Sequence, residues 1–185
     1  MADDFPRLVS LACHDLRTPL ATVFGFARTL TRSGELDERT ARFVGMIEEA
    51  STQMASMLDD LSTAARIEAG RWEPTRGEVD TLELVRSDEG RVAVSGIGVV
   101  VETDVEAVSR AFDALALAAV RYGPVDQVAW SVDGRLLELS PVTSAAGPVV
   151  IGIETRDLGA LVGLRVLAQL EATVELDGGT LRVAL

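Results

Sequence analysis

A single cysteine and a single histidine occur in the 185 residues of this chain, and aromatic side chains make up only 4% of it. With Cys13 alone, no intrachain disulfide can form, and a reducing compartment is expected. A lone histidine with no second imidazole argues against a bound metal. The scarcity of aromatics leaves the core to aliphatic residues. Basic residues are also short, 17 Lys and Arg against 29 Asp and Glu, for a net charge of -12. That imbalance excludes nucleic acid, whose phosphates need Lys and Arg clusters. It equally disfavours an anionic membrane surface. No apolar run approaches the roughly 18–20 residues of a membrane span. No basic segment precedes an apolar run at the N-terminus, so the expected address is the cytoplasm.

What is present in quantity is apolar aliphatic surface. Apolar residues are 48% of the chain and the mean hydropathy is slightly positive, enough for a packed core. In the first 70 residues the apolar positions are helical. Asp3 or Asp4 can cap a start, with Pro6 in the first turn. Val9, Cys13, Leu16, Leu20, Val23, Ala27 and Leu30 then recur at alternating four- and three-residue intervals, a heptad seam. Ser33-Gly34-Glu35-Leu36-Asp37 interrupts it, and Asp37 suits the next N-cap. A second seam follows in Phe43, Ile47, Ala50, Met54, Met57, Leu61 and Ala64, ended by Gly70. Two long helices on a short loop pack antiparallel. One hairpin has too little to cover both stripes, so a homodimer completing a four-helix bundle is expected, the alternative being that the second half of the chain covers them.

The pattern changes near residues 70–77. Beyond it, β-branched runs at Arg91–Val94, Val99–Glu102, Gln127–Val132, Leu136–Leu139 and Val149–Ile153 predict strands, and Asp133-Gly134 predicts a tight hairpin turn. Asp104 can cap a helix over 105–121 with Val108, Ala111, Phe112, Leu115 and Ala119 on its buried face. Asp157 can cap another over 158–170. Ala172 to Leu185 reads as a hairpin turning at Asp177-Gly178-Gly179. The fold class is α+β: a helical hairpin over 1–72, then a small α/β unit over 75–185 with one mixed sheet and helices on one face.

The chemistry concentrates at His14-Asp15-Leu16-Arg17-Thr18-Pro19-Leu20. His14 and Thr18 stand four apart and share a helix face. His14 lies one position past the seam, on the flank, and its stripe continues through Thr18, Ala21 and Gly25, all small enough for a partner to come close. Asp15 can orient the ring or accept a proton. Pro19 removes a backbone donor, a loss of roughly 3 kcal/mol in a helix interior, and should kink or loosen the helix. Stability alone does not account for that combination.

At these residues the chain resembles the dimerisation and histidine-phosphotransfer domain of sensor histidine kinases, whose H-box pattern it matches without a departure. The resemblance implies phosphorylation of a ring nitrogen of His14, help from Asp15 in kinase chemistry and from Thr18 in phosphatase chemistry, and a dimeric bundle. The second half resembles that family's ATP-binding domain in outline. The family's Asn positions, which help hold Mg²⁺, align with Ala114 and Ala118. Where its adenine-reading Asp box should follow Leu136–Leu139, the chain has Ser140-Pro141-Val142-Thr143-Ser144-Ala145-Ala146-Gly147. The lid is almost absent. The resemblance therefore implies, like that of the dimeric histidine phosphotransferases, a decayed ATP site and no cofactor. His14 is expected to exchange phosphate with a response-regulator receiver domain. Arg17, Ala21 and Arg28 are candidates for partner choice. A regulatory pseudokinase or phosphatase acting through Thr18 is the alternative, and an ATP-dependent kinase with a divergent pocket a further one.

Overall fold

The computed structural model describes residues 4–34, 36–85 and 90–185. Its contacts divide the chain into two units, Met1–Trp72 and Glu73–Leu185.

The first unit is an antiparallel hairpin of α1 (Asp4–Ser33) and α2 (Glu38–Glu68). Asp3 lies outside the described residues, and Asp4 is itself the first helical residue. Gly34 has φ +68°, the left-handed conformation that closes a helix without a Cβ penalty. Asp37 caps α2, accepting from the Thr40 backbone N–H at 3.0 Å and the Thr40 hydroxyl at 2.6 Å. At the far end Gly70 again takes a positive φ of 63°, and Arg71 N–H reaches the Arg66 carbonyl at 2.8 Å. Pro19 lies inside α1, which stays helical on both sides of it.

Only part of each sequence seam is used inside the hairpin. Cys13 and Ala27 are buried from α1, with Leu20 half-buried between them. From α2 the buried positions are Val44, Ser51 and Ala65, with half-buried Leu58 completing a strict seven-residue interval. That line runs one residue beside the stripe read from the sequence. Leu16, Val23 and Leu30 on α1 and Phe43, Ile47, Met54, Met57 and Leu61 on α2 stay exposed. Small residues at the buried positions serve helix against helix. The larger ones point away from that contact.

The second unit holds a five-stranded mixed sheet in the order β2-β4-β5-β7-β6 and a separate antiparallel pair of β1 and β3. The strands are β1 (Arg76–Asp80), β2 (Val92–Gly98), β3 (Val100–Asp104), β4 (Val128–Gly134), β5 (Leu136–Ser140), β6 (Thr173–Asp177) and β7 (Thr180–Ala184). Only β2 and β4 are parallel. Strand β1 and the short α3 (Thr81–Leu84) went unforeseen; Asp80 caps α3 through the Leu82 N–H at 2.8 Å. Helix α4 (Val105–Tyr122) starts at the Asp104 cap and α6 (Leu158–Gln169) at the Asp157 cap, each carboxylate accepting a backbone N–H at 3.0 Å.

One predicted strand is corrected. Val149–Ile153 is not extended: Gly147–Val150 forms a short helix, α5, and Gly152 at φ +76° turns the chain out of it. Pro148 has its φ preset for a first helical turn, and this local effect outweighs the β-branched composition.

The core is aliphatic around one aromatic pair, Phe112 on α4 meeting Trp130 on β4 edge-on with centroids 5.1 Å apart. Val128, Trp130, Val132, Leu137, Leu139, Leu181 and Val183 alternate inward along β4, β5 and β7. The opposite face is polar, and there Arg182 bonds both Glu138 at 2.8 Å and Asp177 at 3.0 Å. Among the described residues no helix is long and apolar enough to cross a membrane.

Candidate functional site

His14 stands on the outer side of α1 with 78% of its side chain exposed. Its Nδ1 lies 3.1 Å from Asp15 Oδ1. An ionised carboxylate only accepts hydrogen bonds, so this contact fits the tautomer with hydrogen on Nδ1 and the lone pair on Nε2. Nε2 therefore lies on the ring edge away from the acid, on a side chain that is mostly exposed.

Thr18 is exposed one turn on, with its backbone carbonyl accepting from the Thr22 hydroxyl at 3.1 Å. Ala21 and Gly25 continue the strip, and nothing lies within 4 Å of where a Gly25 Cβ would stand. The three site residues read from the sequence thus lie along one turn of one helix. The sequence reading named Arg17 for partner choice but missed its contact across the hairpin. Arg17 Nη2 donates to Asp59 Oδ1 of α2 at 2.7 Å, 42 residues away. The antiparallel register of the two seams would have placed those residues opposite each other. Arg28 lies over the Phe24 ring at 6.0 Å.

In the second unit the positions matched to a nucleotide site are packed. Ala118 on α4 is fully buried, and Ala114 is half-buried. The sequence contains no asparagine. In Ser140–Gly147, Val142 and Ala146 are core residues. Residues 151–157 are fastened to the end of α4. Tyr122 Oη donates to the Arg156 carbonyl and Arg121 Nη1 to Asp157 Oδ2, both at 2.8 Å. Among the described residues no group of three His, Cys, Asp or Glu could hold a metal ion.

An exposed imidazole with a carboxylate beside it thus stands on a helical hairpin that a mixed-sheet unit follows in the chain. Residues 7–70 match the His Kinase A (phospho-acceptor) domain. The chain is 30% identical over 174 residues to histidine protein kinase DivJ of Caulobacter vibrioides, an alignment covering 84% of this chain and 28% of DivJ. Sensor protein DivL of the same organism is 39% identical over 57 residues, 31% of this chain and 7% of DivL. Two solved structures share the fold. ShkA, crystallised full-length with AMPPNP, superposes with a TM-score of 0.65 at 21% identity over 97% of this chain and 45% of ShkA. Histidine kinase AdeS of Acinetobacter baumannii gives 0.54 at 18% identity over 92% of this chain and 97% of AdeS. The chain belongs to the sensor histidine kinase family. It spans about a quarter of the length of DivJ.

Proposed function

We propose that this chain is a phosphorelay protein in which His14 accepts a phosphoryl group from the aspartyl phosphate of a response-regulator receiver domain and returns it to another, without binding ATP. The observation that carries the reading is the Nδ1–Asp15 bond, which leaves an exposed Nε2 lone pair. Nε2 attacks phosphorus and the P–O bond to the receiver carboxylate breaks. The ring, now carrying both the N–P bond and its Nδ1 hydrogen, is cationic, and Asp15 compensates that charge. The reverse step regenerates the neutral imidazole, so no proton needs to leave the site.

The pocket residues support the absence of ATP chemistry. Transfer from ATP rests on metal and donors that position the phosphates. Ala114 and Ala118 offer no metal ligand, and no acid stands in Ser140–Gly147. The exposed stripe of Leu16, Val23, Leu30, Ile47, Met54 and Leu61 supports a homodimer that buries it in a four-helix bundle.

The test mixes the protein with phosphorylated receiver domains. Acid-labile phosphate is expected on the wild type and not on His14→Gln. Receiver phosphate lost without label on His14, and preserved by Thr18→Ala, would assign phosphatase action instead. Tight Mg-ATP binding by calorimetry would overturn the cofactor-free reading. Light scattering is expected to give a dimer, and Leu16→Glu with Ile47→Glu a monomer.

A further inference from the structure

Within one helical turn on either side of His14 the charged residues are Asp15 and Arg17. Phosphorylation of His14 at Nε2 adds close to two negative charges to this turn, on the ring edge opposite the Nδ1 that Asp15 holds at 3.1 Å. Asp15 is paired with the ring and, being a carboxylate, supplies no counter-charge to the phosphoryl oxygens. Arg17 is three residues on and shares the face of His14. At rest it is committed elsewhere, donating to Asp59 Oδ1 at 2.7 Å, with 44% and 43% of the two side chains exposed. An ion pair this exposed is weak and neither side chain is locked by burial. A phosphoryl dianion carries twice the charge of Asp59 and accepts a guanidinium fork through two oxygens. Asp60, next to Asp59, adds a further carboxylate on α2.

We infer that Arg17 exchanges partners, leaving Asp59 for the phosphoryl oxygens when His14 is phosphorylated, so that Asp59 competes with phosphohistidine for one guanidinium. The exchange gives the phosphoryl oxygens a counter-charge on the same turn. It also releases the tie between α1 and α2 at the phosphorylated turn, and so reports the phosphorylation state to the packing of the hairpin. This rests on the phosphorelay reading for its biological meaning, but its chemistry is testable without a receiver.

The experiment treats the full chain with potassium phosphoramidate, a small-molecule donor that phosphorylates imidazoles directly. With one histidine in the chain, a single ³¹P phosphoimidazole signal reports His14. The second ionisation of that phosphoryl group is titrated by ³¹P NMR in the wild type, Arg17→Ala, Arg17→Lys and Asp59→Asn, each checked for folding by circular dichroism. Loss of Arg17 should weaken the dianion roughly three- to ten-fold, seen as a higher titration midpoint. Asp59→Asn should move the midpoint the other way, and Arg17→Lys should recover part of the loss. A merely structural pair predicts that Arg17→Ala and Asp59→Asn act in the same direction, or not at all, and either result overturns the exchange. Should Arg17→Ala fail to fold, the near-isosteric Asp59→Asn alone decides. Failure of receivers to label the wild type, with the opposed shifts intact, would overturn the phosphorelay reading and leave the exchange standing.

Discussion

Gly163 of α6 faces Ala111 of α4 so closely that a Cβ on Gly163 would stand 3.0 Å from the Ala111 Cα and 3.1 Å from its Cβ. The contact is backbone against backbone, so a larger residue has no flexible neighbour to displace. Gly163→Val should therefore separate the helices and cost about 1–3 kcal/mol, the usual range for overpacking a tight site. Chemical denaturation of the full chain, followed by tryptophan fluorescence, checks it. An unchanged midpoint would show that α6 can shift freely.

Ala118 tests the reading of the nucleotide pocket. It is fully buried on α4. Ala118→Asn would restore the family's residue type but bury an amide, at about 1–3 kcal/mol if left unpaired. The expected outcome is a less stable protein that still shows no heat of Mg-ATP binding. Gain of tight binding would mean that a pocket opens there and that one side chain was the missing part.

Ser51 lies in the buried line of α2, and its hydroxyl is buried without a hydrogen-bond partner. An orphaned hydroxyl in that place carries a desolvation penalty with nothing to offset it. Ser51→Ala should raise stability by about 1 kcal/mol, since it removes the polar atom and leaves only a small void. A shift of the denaturation midpoint to higher denaturant, at an unchanged slope, is the expected reading.

Asp37 supplies a pH dependence. The Thr40 hydroxyl, then the Thr40 backbone N–H, hold its carboxyl below the ordinary value of 3.8. A group whose folded value is depressed stabilises fully above its unfolded value, and that contribution is lost as pH falls through the folded one. The gap in thermal midpoint between wild type and Asp37→Ala should therefore be flat above about pH 5 and narrow below about pH 4. A gap that widens in acid would reverse the assignment.

Much of this was legible in the chain. The capping carboxylates Asp37, Asp104 and Asp157 stand where expected because a cap is a local device, one side chain bonding a backbone N–H three residues on. The buried face of α4 was equally legible, since Val108, Ala111, Phe112, Leu115 and Ala119 follow the helical period that burial enforces. Val149–Ile153 misled because a β-branched run reads as a strand, while Pro148 and Gly152 on its flanks decided the backbone. Strand β1 escaped because Arg76-Gly77-Glu78-Val79-Asp80 has little β-branched content. It exists through its register with β3, which sequence periodicity does not show.

The hairpin divides the two kinds of information most clearly. The sequence by itself determined that His14, Asp15 and Thr18 occupy one turn of a helix, that the helix has a partner, and that no asparagine is available for a nucleotide site, because spacing and side-chain chemistry are local facts. Tertiary structure alone decided which apolar positions the hairpin uses for itself. It chose the small line of Cys13, Ala27, Val44, Ser51 and Ala65, since small residues let two helices approach closely, and left Leu16, Val23, Ile47 and Met54 outside. It also decided that Arg17 meets Asp59, because a contact across 42 residues depends on the register of two helices rather than on any motif.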